Sequence, residues 1–325
     1  MVLWRHRFHK CQFTLEAIVG RVFRASAIWG GATLSTTAVS ALESLTESLS
    51  PEVVDAAIDR ALSEDVGPGD VTTDAIVPED MTCRGKVVCL QDGVVAGLPV
   101  MERVFSYVDE KLQFDGKVAD GEKVQEEQIV ARMFGPARSM LKAQRVAMNF
   151  FQHLSGIATM TAKYVKAVEN TSASIITTRK TTPGLRSLEL YAARMGGASS
   201  IRMGLYDAVV IRDSHLVLSS GVGSPLRTLR KMYPEREITV EVTNMQELEH
   251  ALTEKATWII LSNFAPGQVR QAMQIIRGQA TVEVSGPIPP AGARAYALAG
   301  VDYINVGALV HGATALEMTM KLSRY

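Results

Sequence analysis

ITVEV (residues 238–242) is the first of four segments that together indicate the fold class. The others are WIIL (258–261), TVEV (281–284) and YINV (303–306). These segments are mostly apolar and β-rich, and helical patterns at 244–252, 266–276 and 291–299 separate them. Segments of the same kind lie upstream at 174–178 and 208–211. Because apolar strands that alternate with helices are typical of a parallel sheet covered on its faces, we predict an α/β domain in this half of the chain.

Polar residues follow nearly every one of these segments, and they distinguish between two parallel-sheet folds. A repeat of roughly 20 to 30 residues suits either a barrel or a doubly wound sheet. A doubly wound sheet gathers its binding groups at one switch point, whereas every strand of a barrel can contribute to the site. We therefore predict an α/β barrel. The residues at its strand ends are Arg179, Lys180, Arg212, Glu241, Ser262, Asn263, Ser285, Gly286 and Gly307.

The chain upstream of the barrel has a different pattern. Ser50 precedes a helical pattern that opens with Pro51, and short alternating runs at 85–90, 93–96 and 128–133 are broken by Asp-Gly turns. Such runs predict antiparallel strands and hence a small α+β domain. A long helix is predicted to begin near residue 137 and to end at Ser155 and Gly156, because glycine favours helix ends.

Composition narrows the class of protein. The chain has 325 residues, of which 47% are hydrophobic and 21% charged, and its formal net charge is +0, which argues against a nucleic-acid surface. Its three cysteines lack Cys-x-x-Cys spacing, so we expect no zinc or redox motif and a reducing, cytoplasmic location. The apolar runs fall short of the roughly 20 residues that cross a bilayer.

The first 44 residues form a basic extension, which we expect to be disordered and leave out of the fold. Over the first forty residues its basic side chains are balanced by Glu16 alone, and Ser and Thr become frequent from Thr33 onward. This composition is typical of an organellar transit peptide, but it equally suits an upstream segment translated from a wrongly chosen start. Both alternatives stay open, so an organellar location is the alternative to a cytoplasmic one. The basic residues are Arg5, Arg7, Lys10, Arg21 and Arg24.

A cluster of basic residues lies between 177 and 215, near the ends of apolar runs or in Gly-rich turns. Bidentate arginines match the geometry of carboxylates and phosphates, and a lysine adds a point charge. The cluster therefore predicts a site for a small, multiply anionic ligand, the alternative being a solvated basic face. Its members are Arg179, Lys180, Arg186, Arg202 and Arg212.

In these residues the chain resembles the quinolinate phosphoribosyltransferase family, from about Leu45 to the C-terminus. The resemblance is carried by EDVGPGDVTT (64–73), LSGIAT (154–159), TRKTTPGLR (178–186), GLYD (204–207) and GVDY (300–303). It implies an N-terminal α/β sandwich domain (45–150), an open TIM-like α/β barrel (151–312) and a C-terminal helix (313–325) that packs back on the N-terminal domain. It also implies transfer from 5-phosphoribosyl 1-diphosphate to quinolinate with Mg²⁺, which releases diphosphate and CO₂ and gives nicotinate mononucleotide in NAD biosynthesis.

The resemblance implies roles for individual residues. Quinolinate carboxylates would be held by Arg145, Arg179 and Arg202, with Arg145 supplied by the neighbouring subunit of a homodimer or higher oligomer. Lys180 would contact the diphosphate, and Glu241 would face the ribose and its Mg²⁺. Lys180, Glu241 and Arg212 are the expected catalytic residues. The remaining substrate contacts are expected from Arg212, Ser262, Ser285, Gly286, Gly307 and His311, the last four around the 5-phosphate.

The chain also departs from the family pattern. Ile201 stands where the family has a histidine, Arg212 where it has lysine, Ser262 where it has aspartate, and Pro287 where it has glycine; Thr239 replaces a glutamate. Ile201 removes a donor and Pro287 removes a backbone N–H. Loss of one such donor in a dry site typically costs about two to three decades in rate.

Three hypotheses follow from this mixture of matches and departures. The first is the family reaction at normal or reduced rate. The second is a phosphoribosyltransferase for another aromatic acid, in which Ile201 lines a pocket for a less anionic substrate. The third is a catalytically impaired subunit that pairs with an active homologue.

Overall fold

The computed structural model describes residues 49–219 and 221–325, and the predicted extension over 1–44 lies outside these ranges. The first part of the described chain mixes helices with short strands. In chain order its elements are α1 (Pro51–Asp65), α2 (Val71–Ile76), β1 (Thr82–Cys89), β2 (Gly93–Val94), α3 (Leu98–Val108), β3 (Gln113–Gly116), β4 (Lys123–Val124), β5 (Ile129–Pro136) and α4 (Ala137–Ala167).

The second part alternates strands and helices, as its sequence predicts. Its elements are β6 (Ser174–Ile176), α5 (Arg186–Met195), β7 (Val209–Ile211), α6 (Asp213–Leu218), α7 (Gly223–Met232), β8 (Ile238–Val242), α8 (Met245–Thr253), β9 (Trp258–Ser262), α9 (Pro266–Ile276), β10 (Thr281–Ser285), α10 (Pro290–Ala297), β11 (Tyr303–Asn305), α11 (Ala308–His311) and β12 (Met318–Arg324).

The predicted fold class is confirmed. Strands β6 to β11 form a 6-stranded sheet in the order β6-β11-β10-β9-β8-β7, and all its pairings are parallel. A parallel bridge between Ile176 and Ser199 extends this sheet beyond β6. With helices between successive strands, this is the open α/β barrel that the alternation predicts.

A 4-stranded antiparallel sheet forms the other layer, in the order β12-β1-β5-β3, beside a small β2-β4 ribbon. Helix α1 begins as predicted, since the side chain of Ser50 accepts from the backbone N–H of Val53 and Pro51 occupies the first turn. Helices α3 and α4 pack beside this sheet, with buried residues such as Met101, Phe105 and Met140.

Helix α4 is longer than predicted, because it continues through Ser155 and Gly156 to Ala167. Ser155 is buried and accepts a hydrogen bond from the N–H of Ala96 at 3.1 Å. A side chain at position 156 would collide with the backbone of Thr314. Gly156 therefore serves close packing in mid-helix, where the sequence predicted a helix end. The helix runs through residue 150, where a domain boundary is predicted.

The predicted C-terminal helix over 313–325 is wrong. Residues 318–324 form strand β12, which pairs antiparallel with β1 from Met318 opposite Cys89 to Arg324 opposite Cys83. Met318 and Met320 are buried on one face of the strand, whereas Lys321 is exposed on the other. This period of two favours a strand over a helix. Within the ranges that the structure covers, no helix is both long and apolar enough to span a membrane.

Candidate active site

Most of the residues predicted to bind substrate lie at one edge of the parallel sheet. Because all these strands run in the same direction, their carboxyl ends meet at the same edge. Arg179 and Lys180 follow β6, and Arg212 directly follows β7. Glu241 lies near the end of β8, Ser262 and Ser285 end β9 and β10, and Gly307 follows β11. The barrel therefore presents the predicted residues at the face where such folds hold their ligands.

Three arginines of the basic cluster are close enough to influence one another. Burial and then the positive charges of Arg179 and Arg212 lower the pKa of Arg202. The Nε of Arg179 is buried and donates no hydrogen bond to any residue that the structure describes. A buried donor without an acceptor is costly, and an incoming carboxylate would satisfy it. Like charges held together in this way favour an anionic ligand, as the sequence predicts.

Arg212 also contacts a carboxylate of the site. Its Nε lies 2.5 Å from Oε2 of Glu241, whose side chain is 5% exposed, whereas that of Arg212 is 44% exposed. The contact is an ion pair without hydrogen-bond geometry, so this oxygen of Glu241 accepts no hydrogen bond. Two of the predicted catalytic residues, Arg212 and Glu241, are therefore paired.

A second buried carboxylate was missed by the sequence analysis. Glu283 on β10 and Glu241 on β8 are both register partners of Ile260 on the strand between them, so both face the same side of the sheet. Asn305 Nδ2 donates to Oε1 of Glu283 at 2.5 Å, and Trp258 Nε1 donates to Oε2 at 3.2 Å. The signal was available, since both acids occur in the same Val-Glu-Val pattern.

Burial raises the pKa of Glu283, while hydrogen bonds from Asn305 and Trp258 and the positive charges of Arg202 and Arg212 act in the opposite direction. The guanidinium groups of the site are therefore close enough to interact with this carboxylate. Oδ1 of Asn305 is buried and accepts no hydrogen bond among the described residues. The polar groups of the site therefore include Glu283 and Asn305, which lie within strands β10 and β11.

Lys180, Gly307 and His311 lie together at the ends of the neighbouring strands β6 and β11. A Cβ added to Gly307 would be 3.0 Å from Cδ of Lys180 and 3.0 Å from Nε2 of His311. The stem of the lysine and the imidazole therefore pack directly over the glycine. Any larger residue at this position would force both side chains to shift by a few tenths of an ångström.

The loops after β9 and β10 are also in contact. The backbone N–H of Asn263 donates to the carbonyl of Ser285 at 2.8 Å, and a Cβ on Gly286 would approach Asn263 Oδ1 to 3.1 Å. The N–H of Ile288 donates to the carbonyl of Gly286 at 2.9 Å and closes the turn over Pro287. The N–H that proline lacks is therefore not needed to form this turn.

A buried glutamate holds the loop that carries Arg179 and Lys180. Oε2 of Glu189 accepts from the backbone N–H of Thr182 at 2.8 Å, and Oε1 contacts Nε2 of His153 on α4 at 2.8 Å. Burial raises the pKa of Glu189, but the hydrogen bonds from His153 and Thr182 outweigh it, and the net shift is downward. The carboxylate therefore ties the loop after β6 to helix α4.

Arg145 is not brought to this site. It lies on α4 with its side chain exposed, and no hydrogen bond or ion pair engages it within 49–219 and 221–325. Ile201 is half-buried beside Arg202. Arg186, the remaining member of the basic cluster, donates to protein acceptors.

A cavity of about 320 Å³ lies behind the loop after β6, between α1 and α4. Its wall includes Thr182 and Leu185 from that loop, His153 from α4, and the carboxylates of Glu64 and Asp65. Because two acids line it, this cavity does not suit a dianionic acid or a phosphate. The arginine-lined strand ends are the better candidate for the substrate site.

Comparison with known proteins identifies the family. Models of the quinolinate phosphoribosyl transferase N-terminal and C-terminal domains match residues 70–155 and 157–321. A probable nicotinate-nucleotide pyrophosphorylase [carboxylating] of Synechocystis is 36% identical over 279 residues, which cover 84% of this chain and 93% of the relative. The nicotinate-nucleotide pyrophosphorylase [carboxylating] of Mycobacterium leprae is 39% identical, covering 82% and 95%.

A solved structure gives the same result. The crystal structure of NadC from Streptococcus pyogenes superimposes with a TM-score of 0.81 at 35% sequence identity. It covers 85% of this chain and 99% of the NadC chain.

Proposed function

The chain belongs to the quinolinate phosphoribosyltransferase family, and we propose on that premise that it joins quinolinate to 5-phosphoribosyl 1-diphosphate. The products are nicotinate mononucleotide, diphosphate and CO₂, a step in NAD biosynthesis. The observation that carries the proposal for this chain is the convergence of Arg179, Arg202 and Arg212 at the strand ends. A dicarboxylate and a polyphosphate both require concentrated positive charge in a site that excludes water.

Arg179 and Arg202 hold the two carboxylates of the acid in this proposal. The buried, unpaired Nε of Arg179 supports the assignment, since it lacks the acceptor that a carboxylate supplies. The lowered pKa of Arg202 supports it too, because an added anion relieves the repulsion from Arg179 and Arg212. Fixing the acid in this way orients its ring nitrogen toward the sugar donor.

Lys180, Gly307 and His311 form the part of the site that binds 5-phosphoribosyl 1-diphosphate, here called the donor side. Their contact over Gly307 supports a shared role at the phosphate groups, where the lysine adds a point charge. Ser285 and Gly286 complete this side through the loop that contacts Asn263. Glu241 faces the ribose, where its charge stabilises the positive charge that develops on the sugar as diphosphate leaves.

Mg²⁺ fits the donor side but has no protein cage there. A buried carboxylate is the kind of ligand that suits a hard cation, and Mg²⁺ would compete with Arg212 for Oε2 of Glu241. No cluster of three or more His, Cys, Asp or Glu side chains able to hold a metal occurs in the described residues. Mg²⁺ would therefore be bound by Glu241 together with substrate phosphates and water, and would neutralise charge on the diphosphate leaving group.

The active sites are shared across a homodimer in this proposal. Arg145 is exposed and has no partner among the described residues, so it is free to reach a neighbouring subunit. Exposed apolar side chains flank the site and would be covered by such a contact. They are Leu205, Tyr206, Val217 and Leu218.

The two unpaired cysteines that the structure describes, Cys83 and Cys89, are both buried, which supports a reducing compartment such as the cytoplasm. An organelle interior is the alternative if residues 1–44 are a transit peptide. Determining the N-terminus of the mature protein distinguishes these locations.

The reaction is tested by incubating the purified protein with quinolinate, 5-phosphoribosyl 1-diphosphate and Mg²⁺ and measuring nicotinate mononucleotide and CO₂. Arg179→Ala serves as the control for a contaminating host enzyme. Turnover that this variant abolishes supports the proposal. A folded dimer that binds both substrates without turnover would contradict it.

The half-buried, apolar Ile201 beside Arg202 favours one second candidate, transfer to another aromatic acid with fewer charges. A panel of aromatic monocarboxylic acids tests it in the same assay. Failure to bind both quinolinate and the sugar diphosphate in a calorimetric titration would instead indicate a non-catalytic subunit.

Site sharing is tested by mixing Arg145→Ala with Arg179→Ala after separate purification. Each variant alone is expected to be nearly inactive. In a random mixture half of the dimers are mixed, and each mixed dimer has one intact site, so about one quarter of the wild-type activity returns. No recovery, despite subunit exchange shown by mass spectrometry, would place Arg145 outside the partner's site.

A further inference from the structure

Arg186 is the one arginine of the cluster that connects the two loops carrying Arg179 and Arg202. It is the first residue of α5 and is half-buried. We propose that Arg186 is a positioning residue, which sets the spacing of the Arg179 and Arg202 guanidinium groups and so determines how tightly the acid is held. This inference rests on the proposed function for its substrate.

The contacts of Arg186 reach both loops. Its Nη2 donates to the carbonyl of Arg179 at 3.4 Å and its Nε donates to Oγ1 of Thr181 at 3.0 Å, both in the loop after β6. Its Nη1 donates to the carbonyl of Met203 at 2.8 Å in the other loop. One planar group thus bridges the residue Arg179 itself and the residue next to Arg202.

The contacts of Arg186 are made with the protein itself. Each of its three guanidinium nitrogens donates to a protein acceptor, whereas the Nε of Arg179 has no acceptor among the described residues. The basic residues between 177 and 215 therefore divide into those that present donors to a ligand and one that holds their backbones. A lysine could not replace it, because an ammonium group is a single point and cannot span acceptors on two loops.

The loop that carries Arg202 is held from its other side as well. Asp207 accepts from the backbone N–H of Met203 at 2.5 Å and of Gly204 at 3.1 Å. The backbone of Met203 is therefore held on both sides, since its N–H donates to Asp207 and its carbonyl accepts from Arg186. Asp207 already closes this turn locally. The contribution of Arg186 is therefore to fix the position of the turn relative to the loop that carries Arg179.

The variant that tests the proposal is Arg186→Lys, which keeps the charge and loses the bridge. A misplacement of about 1 Å in a binding group can cost about a hundredfold, so we expect kcat/KM for quinolinate to fall about 30- to 100-fold. The KM for 5-phosphoribosyl 1-diphosphate should change less, by no more than about threefold. Arg186 makes no hydrogen bond to Gly307 or His311, and the stem of Lys180 is also placed by its packing on Gly307. A general loss of structure would raise both KM values or lower kcat alone.

Arg230→Lys is the matched control. Arg230 donates to the backbone carbonyls of Glu254 at 2.6 Å and Lys255 at 2.7 Å, so it clamps backbone in the same way but lies outside the candidate site. We expect Arg230→Lys to change kcat/KM by less than about twofold. If Arg186→Lys folds poorly, Thr181→Val removes one of the three contacts and should produce a smaller change in the same direction.

Amide hydrogen exchange tests the bridge without relying on activity. Peptides spanning 178–185 and 200–207 should both exchange faster in Arg186→Lys than in the wild type, and neither should change in Arg230→Lys. Unchanged exchange in both peptides, or equal losses of affinity for both substrates, would overturn the inference. If the wild type lacks quinolinate turnover, the proposed reaction fails, but the exchange result still decides the role of Arg186.

Discussion

Nε of Arg212 lies 2.5 Å from Oε2 of Glu241, so an arginine side chain that is 44% exposed supplies the counter-charge of a carboxylate that is 5% exposed. Without this arginine the buried Glu241 would lose its counter-charge. In the proposed reaction Arg212 also contacts substrate, so its removal should affect both the carboxylate and the ligand.

Arg212→Ala is expected to lower kcat/KM by about two to three decades, because an anion-binding donor is removed from a site that excludes water. Arg212→Lys should remain within about tenfold of the wild type, since an ammonium can keep the pair with Glu241. Steady-state kinetics with quinolinate measures both. Arg227→Ala, which breaks an exposed ion pair with Glu254, is the control. Full activity of Arg212→Ala would restrict this residue to a structural role.

Ser262→Asp tests the proposed metal site. Ser262 is buried on β9, the strand beside Glu241, and a second carboxylate there repels the first in the absence of metal. We expect a lower melting temperature without Mg²⁺ and a half-saturating Mg²⁺ concentration reduced about tenfold during turnover. Ser262→Ala controls for the loss of the hydroxyl. An unchanged Mg²⁺ requirement in Ser262→Asp would separate this position from the metal.

Gly307→Ala should weaken binding of the sugar donor. The added methyl group lies 3.0 Å from both Lys180 Cδ and His311 Nε2, so these side chains must shift by a few tenths of an ångström. We expect the KM for 5-phosphoribosyl 1-diphosphate to rise about tenfold while the KM for quinolinate changes little. Gly267→Ala on α9 is the matched control, because the nearest atom to its methyl group is 3.9 Å away. Equal kinetics in the two variants would contradict the arrangement.

Glu189→Gln should destabilise the protein in a pH-dependent way. The folded state lowers the pKa of Glu189 below its ordinary value of 4.5, so its contribution is complete above that pH and is lost as the pH falls further. We expect a loss of about 1–3 kcal/mol in the free energy of unfolding at pH 7, shrinking below about pH 4.5.

Denaturant titrations of the wild type and the variant across this pH range measure the difference. Glu247→Gln removes an exposed carboxylate that accepts from Thr243, and it should cost less than about 0.5 kcal/mol. A loss in Glu189→Gln that is constant from pH 7 to pH 3.5 would refute the charge-dependent interpretation.

The barrel was predictable because each strand and the loop that follows it can be recognised from a few consecutive residues. The apolar segments ending in Glu241, Ser262 and Ser285 carry strand and loop character within a few residues. Glu283 was missed because a single acid in an apolar strand does not reveal its partners, which come from Trp258 and Asn305 on neighbouring strands. Only the register of the sheet brings these side chains together.

The helix end predicted at Gly156 was wrong for a related reason. Glycine has two uses, as a helix terminator and as a point of close approach, and the sequence around it is the same for both. The choice depends on Thr314, which is distant in the chain. The hydrogen bond from Arg186 to Met203 could not be predicted either. The sequence shows that the cluster is basic, but it does not show which acceptor each side chain contacts.

Strand β12 makes the last residues of the chain part of the first sheet. It pairs with β1 from residue 318 to residue 324, and the ring of Tyr325 packs on Phe134 with Arg84 above it. Strand β1 is synthesised long before β12, so its outer edge has no partner until residues 318–324 have been made. The 4-stranded sheet is therefore completed late in synthesis, and until then the nascent chain exposes an open strand edge that chaperones can recognise.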